Sequence, residues 1–162
     1  MVIIKDGRAI AGEWLHLDND AAIPPSGQVT VSLHRWQAER TALMARPEPV
    51  GLRLEAGDAP DAIADDLQRF PLIVLSFATM ADGRLFSLAR LLRERFGFAG
   101  ELRARGDFIV DQIFFLNRVG VDTFEPTEDI SPEAVGQAIR TFSVRYQAAT
   151  DEKQPLYRRE RR

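Results

Sequence analysis

The side chains of this 162-residue sequence best suited to chemistry are three carboxylates, two arginines and an amide: Asp82, Arg84, Arg105, Asp107, Asp111 and Gln112. Carboxylates serve as general bases or metal ligands, arginines hold oxyanions through paired donors, and the neighbouring Gly83 and Gly106 let backbone approach a ligand. The same residue types also cap helices and make turns. Asp58 and Asp107 each stand just before an expected helix, where capping alone accounts for a carboxylate. Arg84 lies near a helix start, where the macrodipole disfavours a cation unless an anion is close. It therefore pairs with Asp82, Glu101 or Asp107, or with a ligand. Asp111 and Gln112 interrupt the apolar run FIVDQIFFLN and need polar partners there, in either a fixed hydrogen-bond network or a site.

Other chemistries leave no such trace. With no cysteine there is no thiolate nucleophile, disulfide or iron–sulfur ligand set. His16 and His34 have no companion at metal-ligand spacing, so no metal site is expected, and each reads as a surface or locally bonded histidine. Neither GxGxxG, GxxxxGK[ST] nor GxSxG occurs, and the cofactor is left unknown. Phe108, Phe114, Phe115, Phe124 and Phe142 fit core positions better than a flavin or base-stacking platform.

These residues cluster where strand-like runs turn into helical stretches. Strand candidates are 29–33, 50–56, 72–78, 101–105 and 122–125, starting about 21 to 29 residues apart, the spacing of one strand, one helix and two short loops. Helical stretches lie between them at 36–46, 60–70, 85–96 and 108–119. A last helix opens on Ser131-Pro132-Glu133 and carries Val135, Ile139, Phe142 and Tyr146 at helical spacing. Before the series, Asp6-Gly7 between two apolar runs marks a tight turn.

The expected fold is α/β: a mainly parallel five-stranded sheet, open or incomplete-barrel-like, built of successive βα units and preceded by an N-terminal β-hairpin. One α/β domain covers 1–150, with the hairpin at 1–18, a linker at 19–28 and βα units over 29–150. A basic tail, 151–162, follows. Leu52, Leu54 and Ala56 alternate with Arg53 and Glu55, and Leu102 and Ala104 with Arg103 and Arg105. A strand buried on both faces should be apolar throughout. These two either lie at edges with a wet face, or turn a polar face into a barrel-like interior or a subunit interface. Ligands of parallel sheets collect beyond the carboxyl ends of the strands, and that rule selects the candidates named above, with Glu55, Gly57, Asp58, Thr79, Glu125 and Thr127 beside them.

Charge and hydropathy narrow the partners. The net charge is −3, with a basic C-terminal end carrying Lys153, Arg158, Arg159, Arg161 and Arg162 against Glu160. That end reads as a solvated terminus, and the acidic remainder argues against nucleic acid as the main ligand. An apolar fraction of 45% against 28% charged is that of a globular protein, and no apolar run is long enough to span a membrane. MVIIKDGR lacks the pattern of a secretory signal, so a cytoplasmic location is expected. An open sheet edge is compatible with a homodimer.

The stretch 77–124 resembles the core of a family of small bacterial proteins of unknown function. The residues that carry the resemblance are Phe77, Asp82-Gly83-Arg84, Ser87, Ala89-Arg90, Leu92-Arg93, Gly100-Glu101, Arg103-Ala104, Gly106-Asp107 and Asp111-Gln112. The resemblance implies a context: such proteins are encoded beside assimilatory sulfite or nitrite reductase, and some carry a loose oxidoreductase label. It brings no catalytic residues. Two functions follow as expectations. One is an accessory protein of assimilatory sulfite or nitrite reduction, binding the reductase or an anionic metabolite. The alternative is a small α/β enzyme of the same pathway, whose strand-end arginines hold an anionic substrate while an aspartate moves a proton.

Overall fold

In the computed structural model, which describes residues 2–159, one sheet organises the chain. It has eight strands rather than five: β1 (Ile3–Lys5), β2 (Arg8–Ile10), β3 (Trp14–His16), β4 (Gln28–Ser32), β5 (Val50–Leu54), β6 (Leu72–Phe77), β7 (Glu101–Gly106) and β8 (Thr123–Pro126). Their order is β2-β1-β8-β7-β6-β5-β4-β3. The six strands β3 to β8 run parallel, and β1 lies antiparallel to both β2 and β8. The expected hairpin is confined to β1 and β2, turning at Asp6 and Gly7 with φ of 50° and 77°. The segment after it leaves to form β3 at the opposite edge of the sheet.

That departure requires curvature. Eight strands laid flat place their outer members roughly 34 Å apart, yet Ile10 of β2 and Trp14 of β3 are joined by so short a segment that it reaches no further than about 14 Å. The sheet therefore curls into an incomplete barrel, and the two faces separate by chemistry. Outward, Val29, Val31, Leu52, Leu54, Ile73, Leu75, Leu102, Ala104 and Phe124 are fully buried in one apolar cluster with the helices. Each of these side chains apart from Ala104 contributes about 1.5–3 kcal/mol by leaving water. Inward, the alternate positions carry His16, Thr30, Arg53, Ser76, Arg103, Arg105, Thr123 and Glu125, together with the fully buried Leu72 and Val74 of β6. The alternating strands are thus not wet edges: β5 and β7 are interior, and their polar face lines the barrel.

The covering helices are α1 (Leu33–Met44), α2 (Arg84–Glu94), α3 (Val110–Arg118) and α4 (Pro132–Ile139). Ser32 caps α1 by accepting from the Arg35 amide at 3.1 Å, and Ser131 caps α4 through Ala134 at 3.1 Å. The expected helix over 60–70 is instead two short 3₁₀ turns, Pro60–Ile63 and Leu67–Arg69. Amides there bond three residues back, and Asp66 is drawn aside by Trp36 and Arg40. The last helix also stops early. Arg140 and Thr141 bond three residues back, and Phe142 swings out of the helical stripe to meet Phe114 edge-on at 4.8 Å. Phe142 and Phe115 are more than half exposed, so two aromatics expected in the core lie at the surface. The hairpin packs on α4 where Gly7 faces Gly136, a contact with no room for a side chain.

Residues 151–159 fold back onto the domain. Asp151 pairs with Arg118 and Arg145, and the Arg159 guanidinium donates to the Arg145 carbonyl. Glu160, Arg161 and Arg162 lie outside the described residues. Among the described residues no helix is long and apolar enough to cross a membrane.

Candidate functional site

Strand register builds the site. Ser76 lies opposite Arg105 and Arg105 opposite Glu125, while Leu54 opposite Leu75 puts Glu55 in line with Ser76. A single inward row at the carboxyl ends of β5 to β8 thus reads Glu55, Ser76, Arg105, Glu125.

Glu125 is the hub of the interior. Its carboxylate accepts from Arg105 Nε at 3.2 Å, Arg103 Nη1 at 3.4 Å and His16 Nε2 at 3.3 Å. Because the carboxylate only accepts, His16 donates from Nε2, and its Nδ1 lies 2.6 Å from the Thr30 hydroxyl. This contact joins β3 to β8, which share no backbone ladder, so the barrel closes side chain to side chain. Burial pushes the Glu125 carboxyl up, but the hydrogen bond and charge of His16, with Arg105 and Arg103, outweigh it and hold the group below its ordinary value. Arg103 is in turn held by Glu101 Oε1, which also receives the Thr123 hydroxyl at 2.6 Å. Arg53 donates to the carbonyls of Thr30 and Leu17. Burial, then the like charge of Arg105, lowers the Arg53 guanidinium from its usual value.

Arg105 is anchored but unsaturated. Nε is committed to Glu125, whereas Nη1 and Nη2 have no hydrogen-bond partner among the described residues, and the side chain is 28% exposed. It opens on a cleft of about 410 Å³ lined by Glu55, Ser76, Phe77, Asp82, Arg84 and Gly106, among others. Gly106 forms the cleft wall at φ 115°, where a Cβ would come within 2.2 Å of the Phe77 carbonyl. Only glycine lets β7 turn against the end of β6 here.

Of the six residues singled out by sequence, the cleft gathers three: Asp82, Arg84 and Arg105. Asp82 takes Arg84 in a two-pronged pair, Nε at 2.9 Å and Nη2 at 2.6 Å, and also accepts the Arg84 amide at 3.1 Å at the start of α2. These hydrogen bonds lower the Asp82 carboxyl and make it a weak base. Asp107 is not a helix cap. Its carboxylate accepts the Met80 amide at 3.2 Å, while α3 begins three residues later with Ile109 at the capping position. Gln112 accepts the Ile109 amide and donates to the Met80 carbonyl at 2.8 Å, so it fixes the loop after β6 against α3. Asp111 is exposed and borders a different groove, between α3 and α4. Asp58 likewise closes a turn, accepting the Glu55 amide at 2.8 Å.

A family model described as "Bacterial protein of unknown function (DUF934)" matches residues 51–157. The chain belongs to that family. Comparison with curated proteins gives no match. The DUF934 region contains all but the first residue of β5, with β6 to β8 and α2 to α4, hence the whole row from Glu55 to Glu125. His16 and Thr30, which close the interior from the other side, precede it. Among the motif residues of the region, Arg93 is structural: its guanidinium binds the carbonyls of Phe98, Gly100 and Gly120 and the Asp122 carboxylate, tying the amino ends of β7 and β8 to α2.

Sequence reasoning missed Thr30, read His16 as a surface or locally bonded histidine and Glu101 only as a possible partner of Arg84, gave Arg53 and Arg103 a barrel-like interior as one alternative, and noted Glu55 and Glu125 only as strand-end residues. The alternation of Arg53 with Leu52 and of Arg103 with Leu102 was the available signal. His16 had none, since its acidic partner is 109 positions away. Chemically, the assembled cleft offers an anchored guanidinium with two free donor nitrogens, an arrangement suited to an oxyanion. Among the described residues no group of three His, Cys, Asp or Glu side chains is placed to hold a metal ion.

Proposed function

We propose that this chain is an accessory protein of assimilatory sulfite or nitrite reduction that binds an anionic metabolite in the cleft at the carboxyl ends of β5, β6 and β7. The observation that carries the binding half of this reading is Arg105, oriented by Glu125 through Nε while both terminal nitrogens stay free. A guanidinium fixed in this way gives up little side-chain freedom when it binds, so its donors act at low entropic cost. The pathway half rests on the resemblance over residues 77–124.

The enzymatic alternative draws less support from the geometry. It assigns the proton to an aspartate, but Asp82 is engaged by Arg84, and Asp107 and Asp111 do not line the cleft, which leaves Glu55 as the cleft's one carboxylate without a hydrogen-bond partner among the described residues. Glu125 faces two arginines and a histidine, which weakens it as a base.

Calorimetric titration of the chain with sulfite, sulfate and nitrite, together with purification from the native host, tests the proposal. The expected result is saturable binding of at least one oxyanion, lost in a folded Arg105→Gln variant. Absence of binding with recovery of a reductase subunit that survives Arg105→Gln would move the function from the metabolite to the reductase surface. Neither binding nor a partner would end the reading.

A further inference from the structure

We infer that the anionic group held by Arg105 belongs to a small zwitterion, an amino acid or aminosulfonate, whose ammonium group is received by Glu55. The inference rests on Arg105 as oxyanion anchor and adds the second half of the ligand. Three adjacent members of one strand-end row carry side-chain groups without a hydrogen-bond partner among the described residues: the Glu55 carboxylate, the Ser76 hydroxyl and the two terminal nitrogens of Arg105. Elsewhere on the inner face the polar groups bond to one another, as His16 does to Thr30 and Arg103 to Glu101. The open groups are those that border the cleft.

Their arrangement selects the ligand. Glu55, directly after β5, and Arg105 on β7 stand at opposite sides of the cleft with β6 between them, so their backbones are about 10 Å apart. They form no ion pair with each other. An anion alone would satisfy Arg105 and face the Glu55 carboxylate across the cleft, and a cation alone would do the reverse. A molecule with an oxyanion at one end and an ammonium a few bonds away satisfies both, with the Ser76 hydroxyl between them free to donate or accept. Asp82, the other carboxylate of the cleft, does not compete for the ammonium because Arg84 occupies both of its oxygens. The cleft is large enough for an amino acid with a side chain.

Matched ligand pairs test this on the full chain. L-Serine and 3-hydroxypropanoate differ by the ammonium group, as do taurine and ethanesulfonate. Calorimetric titration is expected to show at least one zwitterion binding ten-fold or more tightly than its deaminated partner. Glu55→Gln should erase that ratio, lowering the zwitterion's affinity and raising that of its deaminated partner a few-fold as the cleft loses a negative charge. Glu55 is exposed and its side chain bonds to nothing, so the variant should unfold at the wild-type temperature, and circular dichroism checks that. Equal affinities within both pairs, with binding still lost in Arg105→Gln, would overturn the zwitterion and leave the oxyanion site standing. No binding of any of the four probes, or of sulfite and sulfate, would overturn both.

Discussion

The two faces of the curled sheet both hold buried side chains, but the outer one is apolar and the inner one carries the charges. Outward, Ile73 and Leu75 on β6 and Leu102 and Ala104 on β7 are fully buried among helical side chains. Inward, Arg103 and Glu125 are scarcely more exposed, at 2% and 5%, yet they are charged. Burial of the first kind is stabilising by itself. Burial of the second kind is tolerated only because each charge has a fixed partner, and one removed member leaves another stranded. The outer face therefore holds the fold, while the inner face fixes the direction of Arg105.

The largest expected effect pits one residue of each face against the other. Glu125→Ala should cost about 3–5 kcal/mol, because it removes the buried carboxylate that Arg103, Arg105 and His16 share and leaves Arg105 without a partner, and should also abolish oxyanion binding. Leu75→Ala should cost about 2–5 kcal/mol through a cavity under the helices, with binding unchanged at temperatures where the variant stays folded. Urea unfolding and titration on the same samples read both quantities. If the two variants lose binding alike, the division between faces is broken.

Acid should strike the inner face. The Glu125 carboxyl lies below its ordinary value in the folded chain. Its contribution is then complete above the unfolded carboxylate value and disappears as pH falls through the folded one. Asp66, lowered chiefly by its hydrogen bond from Arg40, acts in the same direction outside the barrel. Melting temperatures followed from about pH 7 to about pH 3 should fall less steeply in Glu125→Gln than in the wild type. Parallel curves would show that Glu125 does not carry the dependence.

Closure of the barrel is a smaller term. His16→Ala removes the side-chain link between β3 and β8 and should cost about 1–2 kcal/mol, with hydrogen exchange rising in β3 more than in β6. Smallest of all is Asp82→Asn. Its pair with Arg84 is exposed, so the unfolding midpoint should not move measurably. Sulfite affinity should rise a few-fold, because the cleft loses a negative charge.

How much of this was legible in the sequence follows the range of the interactions. The Asp6-Gly7 turn, the Ser131 cap and the five central strands, found within two residues of their expected ends, depend on neighbours along the chain. The positions of β1, β2 and β3 do not. β3 reads locally as the second arm of a hairpin, and only its pairing with β4 takes it to the far edge. Arg84's pair with Asp82 was within reach because the two residues are close in sequence. Arg105's anchor was not, since Glu125 becomes its neighbour only through the register of β7 and β8. Phe142 shows the opposite failure: its helical spacing is real, but Phe114 offers it a better contact outside the helix.

The central claim is that the Glu125 network directs Arg105 at an oxyanion, and side-chain NMR of the arginines tests it most directly. With sulfite added to the folded protein, the Arg105 guanidinium resonances should shift saturably, while those of Arg103, enclosed by Glu101 and Glu125, stay in place. In Glu125→Gln the Arg105 shift should vanish. Shifts confined to exposed arginines such as Arg90, with Arg105 unmoved, would contradict the account.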